Sequence, residues 1–286
     1  MTVYRTAFPA KLAMADELVR QRWEGRHTYE FWMGSGMHVG LYLSPELAAL
    51  GITPRDEFLD PGKVARESWD PDVDPDEVVG VLRRAKVSGS DWHPVIEALV
   101  RTAPRGGIVH WPLRWRDLSR RWVSRAGRVV QVGDAAHSTV PSSAAGGTLA
   151  LEDAITLAAC LGRGGLDSVP LASRVYNLLR YERASCTQKM AFVNAQVLGA
   201  TTDWDAVRRD PERVRLRYPR WFFRHDPEAY VDEKYEDAAS HLATGADFRN
   251  TNIPPGHKFV HWTIEEIHRK MAAGAKVEDL LDGDWT

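Results

Sequence analysis

The chain has 286 residues, 44% of them apolar, enough for one large domain or two with substantial cores. Thirty-seven basic residues against 39 acidic ones leave a net charge of −2, which excludes any general attraction to nucleic acid or to membrane surfaces. Two cysteines, Cys160 and Cys186, lack metal-ligand spacing, and Met1–Arg5 opens no long apolar segment. The expectation is a soluble, cytoplasmic protein in a reducing compartment, without a signal or membrane-spanning helix.

In chain order, residues 1–50 read as sheet plus a short helix. Val3 to Phe8 alternates, Pro9 punctuates, and Lys11–Arg22 shows helical spacing at Leu12, Ala15 and Val19. Glu30–Met33 turns at Gly34-Ser35-Gly36 into Met37–Leu43, predicting a hairpin. Residues 51–78, rich in Pro, Asp and Glu, read as a loop. Asp70, Asp72, Asp74 and Asp76 alternate as calcium ligands do, but prolines intervene and the sixth-position glycine is missing. Asp74 is instead expected to cap a helix that has Pro75 at its first turn and runs to about Val87. A second helix is predicted from Pro94 to about Thr102 and a strand over Gly107–Trp111. Trp and Arg crowd residues 111–122, read as a packed amphipathic connection because Asp117 and the charge balance argue against nucleic acid.

Next comes the most informative stretch. Val129–Val132 reads as a buried strand that ends abruptly at Gly133-Asp134. After a loop of small residues, Leu151, Ala154, Ile155, Ala158 and Leu161 recur at helical spacing until glycines stop them. A carboxylate at a strand's C-terminal end and a helix start would then face one crevice, where ligands sit in α/β sheets. Beyond it, Pro170–Gly199 reads as a long helix with Val175, Leu178, Leu179, Met190, Val193 and Val197 on one face. Thr263-Ile264-Glu265-Glu266 is a capping box opening a short helix that Gly274 stops. His257, His261 and His268 lack accompanying cysteines and read as packed or solvated histidines rather than zinc ligands. Ser142 and Ser143 lie near His137, but no Gly-x-Ser-x-Gly elbow marks a nucleophile.

The run Gly133-Asp134-Ala135-Ala136-His137, then Pro141, small residues and Glu152-Asp153-Ala154, resembles the second flavin motif of FAD-dependent aromatic hydroxylases. These are the group A flavoprotein monooxygenases, similar to salicylate and p-hydroxybenzoate hydroxylases. The resemblance implies that Asp134 holds the ribityl chain of FAD, and that Gly133, Pro141, Gly146, Gly147 and Thr148 lie against the flavin ring. The family loop reads Gly-x-Gly where this chain has Ala144-Ala145-Gly146. Tyr4-Arg5 resembles the strand that opens the family's substrate sheet, which makes Arg5 a candidate to pair with a substrate carboxylate or phenolate. The alternative is an outward-facing surface arginine. Tyr42, on the next strand, is a candidate by the same logic. Trp92-His93-Pro94, Tyr181-Glu182-Arg183 and Arg217–Tyr235 are also family-like, whereas residues 245–286 carry no resemblance.

The family's N-terminal Gly-x-Gly-x-x-Gly, which grips the FAD pyrophosphate, has no counterpart. Gly34-Ser35-Gly36-Met37-His38-Val39-Gly40 has the wrong spacing and leads into a strand rather than a helix. The sequence therefore reads as beginning after the first half of the FAD domain. Losing about two to four hydrogen bonds to phosphate, each ~1.5–3 kcal/mol, would leave a weak or partial FAD site.

The expected fold class is α/β (α+β): a partial FAD-binding parallel sheet with helices, plus an antiparallel substrate-domain sheet. The expected domains are a substrate domain over 1–120, the C-terminal half of the FAD domain over 121–200 and a mainly helical extension over 201–286. The implied activity is hydroxylation of an aromatic or polyketide-like small molecule with FAD, NAD(P)H and O₂. The open alternative is a flavin-independent isomerase or cyclase, or a non-catalytic binder reusing the substrate pocket. A small aromatic substrate is the expected ligand, and a protein partner or an oligomer is expected to complete the sheet.

Overall fold

In the computed structural model, which describes residues 1–60, 70, 72–86, 90–197 and 203–286, the chain divides into two units. One is Met1–Arg114 with Val197–Arg215, the other Trp115–Gln196 with Leu216–Thr286.

The first unit is built on a five-stranded antiparallel sheet. Its strands are β1 (Thr2–Pro9), β2 (Thr28–Gly34), β3 (Met37–Leu43), β4 (Leu47–Pro54) and β5 (Ile108–Pro112), in the order β2-β3-β4-β1-β5. The expected hairpin forms with Gly34 opposite Met37, so Ser35 and Gly36 alone make the turn, and Gly36 takes φ +72°. β4 corrects the loop reading of 51–78. Gly51–Pro54 continue as strand because β4 pairs on both edges, with β3 and with β1, and Ile52 enters the core. The single helix expected over Lys11–Arg22 is two, α1 (Ala10–Ala13) and α2 (Glu17–Trp23). Asp16 divides them, its carboxylate accepting the N–H groups of Leu18 and Val19 at 2.9 and 3.2 Å.

α3 (Pro75–Arg84) starts as predicted, with Asp74 capping Asp76 N–H and Pro75 in the first turn. Its predicted end at Val87 lies outside the described residues. α4 (Pro94–Arg101) follows. Met37, Val39, Leu41 and Leu43 alternate inward from β3 and pack with Val19 and Trp23 of α2, Val78 and Leu82 of α3, and Ile96 and Leu99 of α4. The opposite face of the sheet carries Arg5, His38, Gly40, Tyr42 and Gly51.

The second unit is helical. α5 (Asp134–His137), α6 (Gly146–Gly164) and α7 (Val169–Val197) precede α8 (Trp204–Arg209), which belongs to the first unit. α9 (Arg220–Phe223), α10 (Pro227–Thr244) and α11 (Ile264–Ala272) complete the second. Cys160 of α6, Val175, Tyr176 and Leu179 of α7, and Val231 and Tyr235 of α10 form its main core. Both cysteines are free and buried.

Val129–Val132 is not the buried parallel strand predicted. A single antiparallel bridge joins Val130 to Val123, and Val129 and Val132 are 68% and 43% exposed. Among the described residues every ladder is antiparallel, so the expected parallel sheet is absent there. Among the described residues the apolar run that suggested a strand pairs only with Trp122–Ser124, onto which it folds back through the turn at Gly127.

The capping box of α11 forms in both directions between Thr263 and Glu266. Of the three histidines, His257 is buried on Asp282, His261 is half-buried at the Tyr181 hydroxyl, and His268 is exposed with one side against Phe192. No group of three metal-ligating side chains occurs among the described residues, and no described helix is long and apolar enough to cross a membrane.

Candidate functional site

The candidate cofactor loop begins at Gly133, whose φ of +56° is accessible to glycine without strain. Its carbonyl accepts the N–H groups of Ala136 and His137, both at 2.9 Å, which closes the one-turn helix α5. Asp134 opens that turn with its side chain exposed. Arg116 braces it, donating through Nη2 to the carbonyls of Asp134 (3.0 Å) and Ala135 (2.9 Å). The reading of 111–122 as a mere connection missed this residue, because no spacing in the sequence ties position 116 to position 134.

Pro141 starts a short 3₁₀ turn. Ser142 donates to the Ala191 carbonyl (2.8 Å), and its own carbonyl accepts from Asn194 (3.2 Å), which moors the loop to α7. Ser143 Oγ accepts the Ala145 N–H at 3.1 Å. The Ser142 hydroxyl is thus committed to backbone, and that of Ser143 donates to Thr139 Oγ1 at 3.4 Å. Ala144, at the position where the family has glycine, takes φ +50° and is the one non-glycine residue with positive φ among the described residues.

α6 then starts without a side-chain cap. The N–H groups of Gly146, Gly147 and Thr148 have no hydrogen bond among the described residues, so this helix start presents free donors and partial positive charge. A Cβ on Gly146 would stand 3.4 Å from Thr139 Oγ1 and 4.0 Å from Asp134 Oδ1, whereas one on Gly147 would meet nothing within 4 Å. The Asp134 carboxylate and the Thr139 hydroxyl therefore flank the side-chain-free α-carbon of Gly146, next to the free donors of the helix start. Acceptors for ligand hydroxyls and donors for a ligand carbonyl are what a ribityl chain and a flavin ring edge require, so these residues fit FAD. Gly133 is buried beneath; Pro141, Gly147 and Thr148 are exposed around the rim.

Under the loop lies a buried ionic cluster. Asp153 Oδ2 accepts the Gly133 N–H at 2.8 Å and meets His137 Nε2 at 2.5 Å, while Arg180 Nε donates to Oδ1 at 2.8 Å. Arg180 Nη1 reaches Glu152 at 2.6 Å, and Arg183 binds both Glu152 oxygens, at 2.8 and 2.7 Å. Arg183 also donates to the carbonyls of Trp221, Phe222 and Asn252. Burial alone would raise both carboxyls. Hydrogen bonds and charge outweigh it, from Arg183 and Arg180 at Glu152 and from His137 and Arg180 at Asp153, and hold both below the usual carboxylate range. Burial pulls the Arg183 guanidinium down despite Glu152. Two adjacent acids on α6 and two arginines three residues apart amid the apolar stripe of α7 were the available signal; nothing in the sequence says they meet.

Arg5 and Tyr42 lie in the first unit, on the face of the sheet opposite its core. Register places Val109, Arg5, Gly51, Gly40 and Phe31 in one row across all five strands. Tyr42 stands in the adjoining row with Tyr29 and Ala49. Arg5 is exposed and forms no ion pair among the described residues. His38, on the other side of that row, packs against Phe31 with centroids 5.0 Å apart, and burial pulls its imidazole down to about 4. The Phe31 ring covers Gly40, while a Cβ on Gly51 would meet nothing within 4 Å, so open floor lies beside Arg5.

An α/β chain with this loop-and-helix cradle and a separate antiparallel sheet has the features of an FAD-binding fold. A family model described as "FAD binding domain" matches residues 23–163. The FAD-dependent monooxygenase nsrK of Aspergillus novofumigatus is 72% identical over 298 residues, covering all of this chain and 56% of that protein. An FAD-dependent monooxygenase of Claviceps purpurea is 57% identical, with 100% of this chain and 57% of its own length covered. The crystal structure of CtdE in complex with FAD and substrate 4 superposes with a TM-score of 0.74 at 21% identity, over 85% of this chain and 57% of that one, a likeness of fold. Over its whole length the chain is thus similar to part of these FAD-dependent monooxygenases, and an FAD binding domain model matches about half of it. It spans little more than half the length of the curated relatives it matches. Residues 245–286, which carry no motif of the family, fall within matches that cover the whole of this chain.

Proposed function

We propose that this chain carries the flavin-ring and substrate-facing part of an FAD-dependent monooxygenase that hydroxylates an aromatic or polyketide-like small molecule with NAD(P)H and O₂. The observation that carries this reading is the placement of Asp134 and Thr139 against side-chain-free Gly146, beside the N–H groups of Gly146–Thr148 that have no partner among the described residues. When bound, FAD supplies the oxygen chemistry. The protein's part is orientation. Asp134 accepts ribityl hydroxyls, and the α6 start donates to the polar edge of the ring. Arg5 pairs with an anionic substituent of the substrate laid on the sheet beside Gly51, and Tyr42 borders that substrate with an aromatic edge and a hydroxyl. The free buried thiols support a reducing, cytoplasmic setting.

Fluorescence-quenching titration tests the reading. Because only ring and ribityl contacts are available, FAD, FMN and riboflavin should bind weakly and with similar affinity. A nanomolar preference for FAD over FMN would place adenylate contacts within these residues, and absence of any flavin binding would sink the proposal.

A polypeptide partner or second copy covering the cofactor unit is part of the same reading. Val129 and Val132 on the folded-back segment and Leu151 and Ile155 on α6 are all more than 40% exposed, a set of apolar side chains that favours association. Light scattering should show a species larger than one chain, and a monodisperse monomer would refute it.

A further inference from the structure

The cluster beneath the loop has two arms with different attachments. The Glu152–Arg183 arm ends on the carbonyls of Trp221, Phe222 and Asn252. The Asp153 arm ends on Gly133 and His137, the two ends of the turn that carries Asp134. We propose that Asp153, held by Arg180, is the positioning residue for the flavin loop, setting the backbone of Gly133 and the aim of the Asp134 carboxylate. The proposal rests on the flavin reading of that loop.

The physical case is specific. Gly133 lies at φ +56° and ψ −140°, one of several wells open to an unrestrained glycine, so its peptide needs a fixed partner to be held in this one. Asp153 Oδ2 is that partner. The same oxygen meets His137 Nε2, and since a carboxylate only accepts, the proton sits on Nε2. One atom thus fixes both ends of a one-turn helix that has no side-chain cap of its own. The Asp153 side chain is fully buried, as is that of His137, so water cannot substitute for either bond without opening the unit. Asp134, by contrast, is exposed and among the described residues is braced through backbone carbonyls, by Arg116. Its orientation is inherited from the turn below it.

Asp153→Asn and Glu152→Gln separate positioning from general stability, because both lose one buried charge from the same cluster. Two readouts apply to each: amide hydrogen exchange by segment, and FMN affinity per folded molecule. For Asp153→Asn, exchange at 133–137 should accelerate and FMN affinity should fall about tenfold. For Glu152→Gln, exchange should accelerate at 221–222 and 252, with FMN affinity within about twofold of wild type. If Asp153→Asn fails to fold, His137→Gln and His137→Leu report on the same contact. Gln keeps a donor for Asp153 and should hold 133–137 near wild type, while Leu should release it. Equal effects of the Asp153 and Glu152 variants on both segments, or unchanged exchange at 133–137 in Asp153→Asn, would overturn the proposal. If wild type binds no FMN, the flavin reading fails alone, and exchange still decides whether Asp153 positions the turn.

Discussion

The sheet face bearing Arg5 and the loop bearing Asp134 are both open surfaces, yet they are held in opposite ways. Around Arg5 the backbone polar groups are spent on ladders: β1 pairs with β4 on one side and β5 on the other, and the apolar side chains alternate inward. Around Asp134 there is no ladder. The turn is fixed by Asp153, Arg116, Ser142 and Ser143, and the donors at the start of α6 are left over. The first surface is rigid by repetition and should tolerate single changes. The second depends on a few buried polar contacts, each of which matters more.

The largest expected effect breaks the second region while sparing the first. Arg183→Ala leaves Glu152 buried beside Arg180 alone and releases three carbonyls. Removing one partner of a buried ion pair costs about 3–5 kcal/mol. Thermal and denaturant unfolding should show the helical unit strongly destabilised, whereas Arg5→Ala, which removes an exposed cation with no ion pair among the described residues, should change stability by less than about 0.5 kcal/mol. A comparable loss from Arg5→Ala would contradict the contrast.

Acid should separate the regions next. The Glu152 and Asp153 carboxyls are held below their usual range in the folded protein. A depressed carboxyl contributes stability that is complete above the unfolded value, about 4, and is lost as pH falls through the lower folded value. The denaturant midpoint of the helical unit should therefore be flat on account of these two groups above about pH 5 and drop below about pH 4. Glu152→Gln should flatten that drop. An acid slope that Glu152→Gln leaves unchanged would mean other carboxyls govern it.

Third come the candidate ligand contacts. Asp134→Ala should weaken FMN or riboflavin binding by about 1–3 kcal/mol, the value of hydrogen bonds to a charged acceptor, with the fold retained because the side chain is exposed. Calorimetry and unfolding on the same sample decide it: unchanged flavin affinity with lost stability would reverse the assignment.

The regions also differ in how far the sequence could reveal them. Alternation in Val3–Phe8 and Met37–Leu43 and the Ser35-Gly36 turn predict strands that the structure contains, because period-two burial is written residue by residue. α6 and α7 were legible for the same reason at helical period. Val129–Val132 misled because an apolar run specifies burial only where something is present to bury it. Gly51–Pro54 was missed because Gly and Pro signal a loop, whereas pairing on both edges made it strand. The motif at 133–148 located the candidate cradle, but the contacts holding it, from Arg116, Asp153 and Arg180, are separated by 16 to 27 residues from their partners and follow no period.

The smallest effect bears on the one position where the loop departs from its family. Ala144 sits at φ +50°, and the left-handed conformation costs an L-residue with a Cβ about 1–2 kcal/mol. Ala144→Gly relieves that strain but loosens the unfolded chain, at about 0.4–1 kcal/mol. The difference leaves a net gain of about 0–1.6 kcal/mol, whose lower half is near the limit of a denaturant titration. Exposed Ala144 packs little apolar surface, so no cavity term opposes the change. Stability should rise slightly and FMN affinity should hold or improve, as the turn leading into Gly146 needs less restraint. A loss of more than about 1 kcal/mol would show that the Ala144 methyl makes contacts outweighing its strain, and that the alanine is part of how this loop is held.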